Sequence, residues 1–385
     1  MNRYILMPDS FKGTMSSATI CQIMEKAIRR FEPDAEIVSI PVADGGEGSV
    51  DAFLTALGGE KRVERVTGPL GKTVDSFWGL LQDGKTAVIE MAAAAGLPQV
   101  GSTPDAAGAT TYGVGELIRH ALKVGCTKLI LGLGGSATTD GGCGMAAALG
   151  VVFRDEQGKA FVPVGGTLHR IHSVDLDGLD PRLAKMEIVA MCDIDNPLFG
   201  PEGAAYVFGP QKGADPACVE LLDQGLRHLA QIMRETVGSD QENCPGAGAA
   251  GGLGYGMQAF LGARLQMGIE TVLDTVHFDE KLAGATMVFS GEGKIDSQSV
   301  RGKVISGIAK RTKAAGVPLV AVVGDIGDDM EEAYQQGVSA VFSINRLAIP
   351  YEKSKLRAPE DLRLTMENII RFIHVIRCHE QRENA

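Results

Sequence analysis

The chain reads as an α/β fold of two α/β domains, one of them Rossmann- or flavodoxin-like with a mostly parallel sheet. Three observations predict this. Short apolar runs alternate with longer segments of helical periodicity, as in successive βαβ units. The runs are short and bounded by turn residues, which reads as buried strands. Glycine is in excess, at 50 of 385 residues or about 13% against the roughly 7% of average proteins. These glycines gather in loops, where they permit positive φ and close approach of backbone to a ligand.

Taken in chain order, the predicted strands are Arg3–Pro8, Ile37–Val42, Thr86–Met91, Lys128–Leu133, Glu187–Cys192, Thr286–Ser290, Pro318–Val323 and Ala340–Ile344. Amphipathic helices are predicted over Ser16–Phe31, Val300–Ala315 and Asp361–Cys378. In the last, Leu362, Met366, Ile369, Ile370, Ile373 and Ile376 recur at helical spacing and form one apolar face. The segment Val152–Pro216 is less regular, and Cys244–Met257 is too glycine-rich for a plain helix or strand. The first strands and the last hundred or so residues are expected to form one domain, 1–70 plus 286–385. Residues 71–285 form the second.

Composition narrows the function. The net charge is −11 and no block of basic residues occurs, which argues against a nucleic-acid or anionic-membrane partner. The seven cysteines are scattered, odd in number and without a CxxC pair, so they read as reduced thiols. His169 and His172 have loose metal-type spacing, but two histidines with no Cys beside them fall short of the ligand count a metal site requires. The N-terminus lacks the features of a signal peptide, and no apolar run approaches the roughly 18 residues of a membrane span. A cytoplasmic location is expected.

The strongest signal is a repeated arrangement: a strand ends, a charged residue appears with Gly, Ser or Thr, and a helix often follows. Ligands of open α/β sheets bind beyond the carboxyl ends of the strands, so such loops can converge on one site. Six loops fit: Asp9-Ser10-Phe11-Lys12-Gly13, Asp44-Gly45-Gly46-Glu47-Gly48-Ser49, Gly134 to Gly142, Asp193 to Pro197, Gly209-Pro210-Gln211-Lys212-Gly213, and Gly291 to Ser297 with Arg301 and Lys303 on the next turn. Phosphoryl transfer needs this inventory. Amides of glycine-rich turns cradle phosphate oxygens. Lys12, Lys294, Arg301 and Lys303 can neutralise the transferring group. Asp9, Asp44, Glu47, Asp140, Asp193 and Asp296 can hold Mg²⁺ or accept the proton of an attacking hydroxyl. Each loop alone is weak, since a Gly/Asp turn after a strand is usually only a turn; six in one chain are not.

The familiar nucleotide motifs are poor. No GxxxxGK[ST] occurs, and Gly68-Pro69-Leu70-Gly71-Lys72-Thr73 has two residues where four are needed, so it reads as a turn. Gly132 to Ala137 does fit GxGxxA after a strand, with Asp155 about 20 residues on, as a dinucleotide fold requires. That supports a rival reading as an NAD(P)-dependent oxidoreductase. Against it, Thr138, Thr139 and Asp140 stand where pyrophosphate would meet a helix. A non-catalytic sensor of small acids is a third reading.

At these loops the chain resembles the bacterial type 1 glycerate kinase family. The residues that carry the likeness are DSFKGT (Asp9–Thr14), ADGGEGS (Ala43–Ser49), GLGGSATTDGG (Gly132–Gly142), CDIDNPLFGPEGAA (Cys192–Ala205), FGPQKGA (Phe208–Ala214), GAGAAGGLGYG (Gly246–Gly256) and GEGKIDSQSVRGK (Gly291–Lys303). The resemblance implies phosphorylation of D-glycerate by ATP at the 2-hydroxyl, with Mg²⁺, in a cleft between two domains. It also implies a place at the end of glyoxylate, glucarate and galactarate breakdown. The partners it implies are D-glycerate and ATP, and a homodimer is compatible with it. The family tolerates change at the second acid of CDIDNP, which favours Asp193 over Asp195, and it accepts Arg where Lys294 stands.

The roles expected under that resemblance are specific. Asp193 or Asp296 takes the proton from the glycerate hydroxyl while the other helps bind Mg²⁺. Lys12 and Lys294 contact the transferring phosphate, and Arg301 pairs with the glycerate carboxylate or a phosphate. Gly134, Gly135, Ser136, Thr138, Thr139, Asp140, Lys212, Gly251 and Gly252 are expected at the nucleotide. Asp9, Ser10, Asp44, Glu47 and Lys303 are expected at glycerate.

Overall fold

The structure is a computed structural model that describes residues 2–11, 13–42, 46, 48–296 and 304–383. Its strands are β1 (Arg3–Pro8), β2 (Glu36–Ser39), β3 (Gly59–Thr67), β4 (Thr73–Leu81), β5 (Thr86–Glu90) and β6 (Lys128–Gly132). There follow β7 (Val152–Arg154), β8 (Ala160–Phe161), β9 (Ser173–Asp175), β10 (Glu187–Met191) and β11 (Arg264–Gln266). The last are β12 (Met287–Gly291), β13 (Lys294–Ile295), β14 (Leu319–Val323), β15 (Asp325–Ile326) and β16 (Val338–Ser343). The helices are α1 (Ser17–Arg29), α2 (Ser49–Leu57), α3 (Met91–Ala95), α4 (Tyr112–Val124), α5 (Cys143–Ala148), α6 (Ala204–Phe208) and α7 (Pro216–Val237). After them come α8 (Ala249–Leu261), α9 (Gly268–Thr275), α10 (Phe278–Leu282), α11 (Val304–Ala315), α12 (Glu331–Gln336) and α13 (Tyr351–Glu383). The mixed α/β class with largely parallel sheets is as the sequence predicts.

Contacts divide the chain into residues 1–44 with 269–385, and residues 45–268. The sequence reading set its borders at 70 and 285. The difference lies in the β3–β4 hairpin, which pairs onto β5, and in α9 and α10, whose acids bind Arg311 of α11.

In the first unit five parallel strands are ordered β16-β14-β12-β1-β2. Counted within this sheet, from β2 to β16, the order is 2-1-3-4-5, the flavodoxin-like order, whose switch point lies between β1 and β12. Side chains alternate across the sheet. Tyr4, Leu6, Phe289, Val320 and Val322 meet Met24 and Ile28 of α1 and Leu362, Met366 and Ile370 of α13 in one core. Helix α1 starts where expected because Ser16 caps it, its hydroxyl accepting from the Thr19 amide. Helix α13 is longer than the expected span and contains Pro359. Its apolar face stops short of the expected one, since Ile376 is 42% exposed.

The second unit holds a six-stranded mixed sheet, ordered β11-β10-β6-β5-β4-β3. Strands β5, β6, β10 and β11 run parallel; β4 and β3 are antiparallel additions. The Gly68–Lys72 segment is the hairpin turn between β3 and β4, closed by the Gly68 amide on the Lys72 carbonyl. Helices α4, α5, α7 and α8 cover the sheet and bury Trp78, Phe153, Tyr255 and Met257. The irregular stretch after α5 contains the small antiparallel sheet β8-β7-β9. No helix among the described residues is long and apolar enough to cross a membrane.

Candidate active site

In the first unit the described residues expected at the site lie near the switch point. Strands β1 and β12 end in register at Pro8 and Gly291. The Asp9 amide donates to the Gly291 carbonyl at 2.8 Å, so the two exit loops are tied together. The Ser10 amide donates to Asp9 Oδ1 at 2.6 Å. Both Asp9 and Ser10 are half-buried. Ser17 holds the base of this loop, its hydroxyl donating to the Pro8 carbonyl and accepting from the Val42 amide.

Beyond β12, Glu292 is buried at 6% exposure and Gly293 is exposed. Strand β13 then pairs with β15, and the Gly324, Asp325 and Gly327 amides donate to the Glu292, Gly293 and Ile295 carbonyls. That ladder fixes an otherwise short loop. Lys294 Nζ lies 3.6 Å from Asp296 Oδ2, both side chains partly exposed. An ammonium beside a carboxylate at a switch point is what a phosphate or metal–phosphate ligand requires. The expected Lys12, Arg301 and Lys303 lie outside the described residues.

In the second unit the exits of β5, β6, β10 and β11 form one continuous edge, with Glu90, Gly132, Met191 and Gln266 in register. The Leu133 amide donates to the Met191 carbonyl and the Cys192 amide to the Gln266 carbonyl. Asp193 is exposed, and its Oδ1 accepts from the Gly268 amide at 2.8 Å, at the first residue of α9. That bond sets the orientation of the carboxylate. Asp44 and Glu47 of the preceding motif lie outside the described residues.

The glycine-rich loop after β6 is built around Asp140. Its carboxylate is fully buried and accepts from the Thr111 amide and hydroxyl at 2.7 and 2.9 Å, and from the Gly142 and Gly144 amides. Burial pushes its pKa up, and those four donors oppose the rise. Lys212 is also buried, and Nζ donates to the Thr138 carbonyl at 2.7 Å. Burial pulls its pKa down to about 7, partly offset by the nearby Asp140 charge. The hydroxyls of Thr138 and Thr139 are buried without a partner among the described residues. They add two uncommitted donors to a wall that also carries an ammonium.

Helix α8 completes this wall. Residues Ala250, Gly251 and Gly252 take left-handed conformations inside it. A Cβ on Gly251 would stand 1.9 Å from the Thr138 carbonyl oxygen, and one on Gly256 would stand 2.5 Å from that of Gly141. The glycines are there so that two backbones can touch. The expected nucleotide residues Ser136, Thr138, Thr139, Asp140, Lys212, Gly251 and Gly252 are thus gathered in one place. All of these are buried, while Gly134 is half-exposed and Gly135 exposed.

Two buried groups escaped the sequence reading. Thr111 serves Asp140, and nothing in its local sequence marks it. Glu90 ends β5, and a carboxylate closing the apolar run Ala87–Ile89 was the signal available. The dinucleotide reading loses its second anchor here. Asp155 is buried, and its Oδ1 accepts from the Gln157 and Lys159 amides of its own turn. Helix α5 also begins only at Cys143, after the whole glycine loop.

For a divalent cation, no three His, Cys, Asp or Glu side chains converge among the described residues. Mg²⁺ is ordinarily held by one or two carboxylates together with substrate phosphates. Asp193 and Asp296, as hard oxygen donors at strand exits, fit that demand.

Known proteins share this chain's features along nearly its whole length. A sequence model of the glycerate kinase family matches residues 4–374. The chain is 46% identical over 343 residues to the glycerate 2-kinase of Escherichia coli (strain K12), covering 89% of this chain and 90% of that one. It is 44% identical over 368 residues to the glycerate kinase of Bacillus subtilis (strain 168), covering 95% and 96%. A crystal structure from Salmonella typhimurium LT2, provisionally named glycerate kinase 2, matches with a TM-score of 0.89 and 41% identity, covering 99% of both chains.

Proposed function

The chain belongs to the glycerate kinase family, and from that premise we propose that it transfers the terminal phosphoryl group of ATP to the 2-hydroxyl of D-glycerate, giving 2-phospho-D-glycerate and ADP. The observation that carries the regiochemistry is the 46% identity to a relative named glycerate 2-kinase. The chemistry is supported by Asp9 and Asp193 beyond the carboxyl ends of parallel strands, one in each unit, and by the Lys294 ammonium beside Asp296.

Asp193 is the better placed base. Its orientation is fixed by the Gly268 amide, and a base needs only to be held within hydrogen-bond reach of the proton it takes. Asp296 stands beside the Lys294 ammonium, which suits a group that meets phosphate and cation together. Mg²⁺ bound by Asp296 or Asp193 would neutralise charge developing on the phosphate oxygens. Lys12 and Lys294 hold the transferring group, and Arg301 and Lys303 hold anionic oxygens. Asp9, Ser10, Asp44 and Glu47 orient glycerate through its hydroxyls. The Gly134–Gly142 wall, with Lys212 behind it and Gly251 and Gly252 against it, receives the nucleotide phosphates. The dispersed thiols, free at all seven cysteines, suit a reducing cytoplasm.

The test is an ATP- and Mg²⁺-dependent assay on D-glycerate coupled through enolase and pyruvate kinase, with no phosphoglycerate mutase. Signal is expected, because enolase accepts only the 2-phosphate. ADP release without signal, recovered by adding mutase, would move the phosphate to the 3-hydroxyl. No ADP release would sink the proposal.

A further inference from the structure

Helix α2 begins without a side-chain cap from its own N-cap residue. Its N-cap residue is Gly48, at φ +92°, which has no side chain to accept from the first-turn amides. The acceptor comes instead from a neighbouring strand. Glu90, 2% exposed at the end of β5, takes the Val50 amide on Oε1 at 2.8 Å and also accepts from the Gly48 amide. Ser49 is fully buried, and its hydroxyl donates to the Gly46 carbonyl at 2.8 Å. The start of α2 is therefore held by Glu90 at Gly48 and Val50 and by the Ser49 hydroxyl at Gly46.

An anionic acceptor at the positive end of a helix is favourable, but a buried carboxylate is a costly way to obtain it. At φ +92° position 48 takes only glycine without strain, so a local Ser or Asp cap is closed to this turn and the acceptor has to come from elsewhere in the fold. Burial does push the Glu90 pKa up, against the two amides that pull it down. What the distant carboxylate adds is location. Glu90 is in register with Gly132, the last residue of β6 and two positions before the Gly134–Gly142 wall. It thus ties the described end of the ADGGEGS motif to the strand edge that carries the site.

We infer that Glu90 is a positioning residue for the phosphoryl-transfer reaction, holding Gly48 and Val50 at the start of α2 in register with the β5–β6 edge. It touches backbone amides, not the reacting atoms. The inference rests on the assignment of this motif to D-glycerate made above.

The experiment compares the full-length wild type with Glu90→Gln, Glu90→Asp and Glu90→Ala. It measures steady-state kinetics in both substrates and amide hydrogen exchange over residues 46–52. Glu90→Gln keeps an acceptor oxygen at the same reach, so it should stay within about threefold of wild type. Glu90→Asp keeps the charge but falls short by one methylene. It should raise KM for D-glycerate about tenfold, leave KM for ATP unchanged and speed exchange at Gly48 and Val50, an effect the size of one lost charge-assisted hydrogen bond. Glu90→Ala should do the same to a greater degree; if it does not fold, the Glu90→Asp and Glu90→Gln pair carries the comparison. Faster exchange with unchanged KM for D-glycerate would overturn the inference and leave Glu90 as a cap only. Unchanged exchange in Glu90→Asp would overturn it as well. A wild type without ATP-dependent turnover of D-glycerate would instead sink the functional assignment, a result separate from either.

Discussion

The buried ammonium of Lys212 holds the carbonyl of Thr138 at 2.7 Å. The same carbonyl abuts Gly251, so one oxygen joins the 209–213 turn, the glycine loop and helix α8. Lys212 titrates near 7 in the fold because burial disfavours its charge, while Asp140 alone pulls the other way. In the unfolded chain it returns to its ordinary 10.5. Between about 7 and 10.5 the unfolded chain therefore binds the extra proton, and stability rises with pH across that window. Below 7 both states are charged, and the fold carries the full burial penalty, on the order of 5 kcal/mol at most.

Lys212→Met should remove that slope. Urea midpoints of wild type and variant, measured from pH 6.5 to 10.5, should diverge most at the acidic end and approach one another at the alkaline end. Parallel curves would mean that Lys212 keeps an ordinary titration.

Arg311 presents a different kind of ion pairing. Its guanidinium meets Glu270 and Asp274 of α9 at 2.7 and 2.8 Å and Asp279 of α10 at 2.6 Å. The side chain is 27% exposed, so water screens each pair and none is worth much alone. Removing the cation leaves three carboxylates facing one another. Arg311→Ala should lower stability by about 1–2 kcal/mol at low salt, with a smaller loss in 1 M NaCl. Thermal melts at two ionic strengths read this directly; a loss independent of salt would point to packing of the arginine stem instead.

The sequence was most legible where strands are buried on both faces. β1, β5, β6, β10, β12 and β14 end within a residue or so of the predicted positions, because their apolar runs are unbroken. β3 was missed for the opposite reason. It is an edge strand bearing Glu60, Lys61, Arg62, Glu64 and Arg65, charges that guard an open edge and erase the apolar signal. Helix α8 was obscured by its own glycines, which composition reads as loop and which packing requires. The positions of the charged loops were legible residue by residue, since Asp9, Asp193 and Asp296 each follow a strand end and Lys294 opens β13, three residues beyond β12. The partners Glu90 and Thr111 were not. Each acts on a residue at least 29 positions away, and no local spacing encodes that.

The left-handed turn in α8 makes two predictions of opposite sign. Gly251 sits at φ +66° with its would-be Cβ 1.9 Å from the Thr138 oxygen, so Gly251→Ala adds strain and a backbone clash. A loss of about 3 kcal/mol or more is expected, together with a raised KM for ATP. Ala250, at φ 52°, already bears the penalty of a side chain in this region. Ala250→Gly should recover roughly 0.5–1 kcal/mol, partly offset by the greater freedom of glycine in the unfolded chain. Urea titration of both variants checks the pair, and equal effects of one sign would contradict the conformation described for this turn.

The sharpest test of the reaction separates the two aspartates. Asp193→Asn keeps an oxygen to accept from Gly268, so its fold and the start of α9 should survive while the proton acceptor is lost. kcat should fall by about 10²–10⁴-fold, the usual worth of a general base, with KM for both substrates little changed. Asp296→Asn removes the charge beside Lys294 and with it the ligand proposed for Mg²⁺. Its kcat should recover in part as Mg²⁺ is raised well above the wild-type requirement, which Asp193→Asn should not do. If raising Mg²⁺ rescues Asp193→Asn and leaves Asp296→Asn inactive, the two roles are exchanged. If either variant keeps wild-type kcat at every Mg²⁺ concentration, that residue has no part in the transfer.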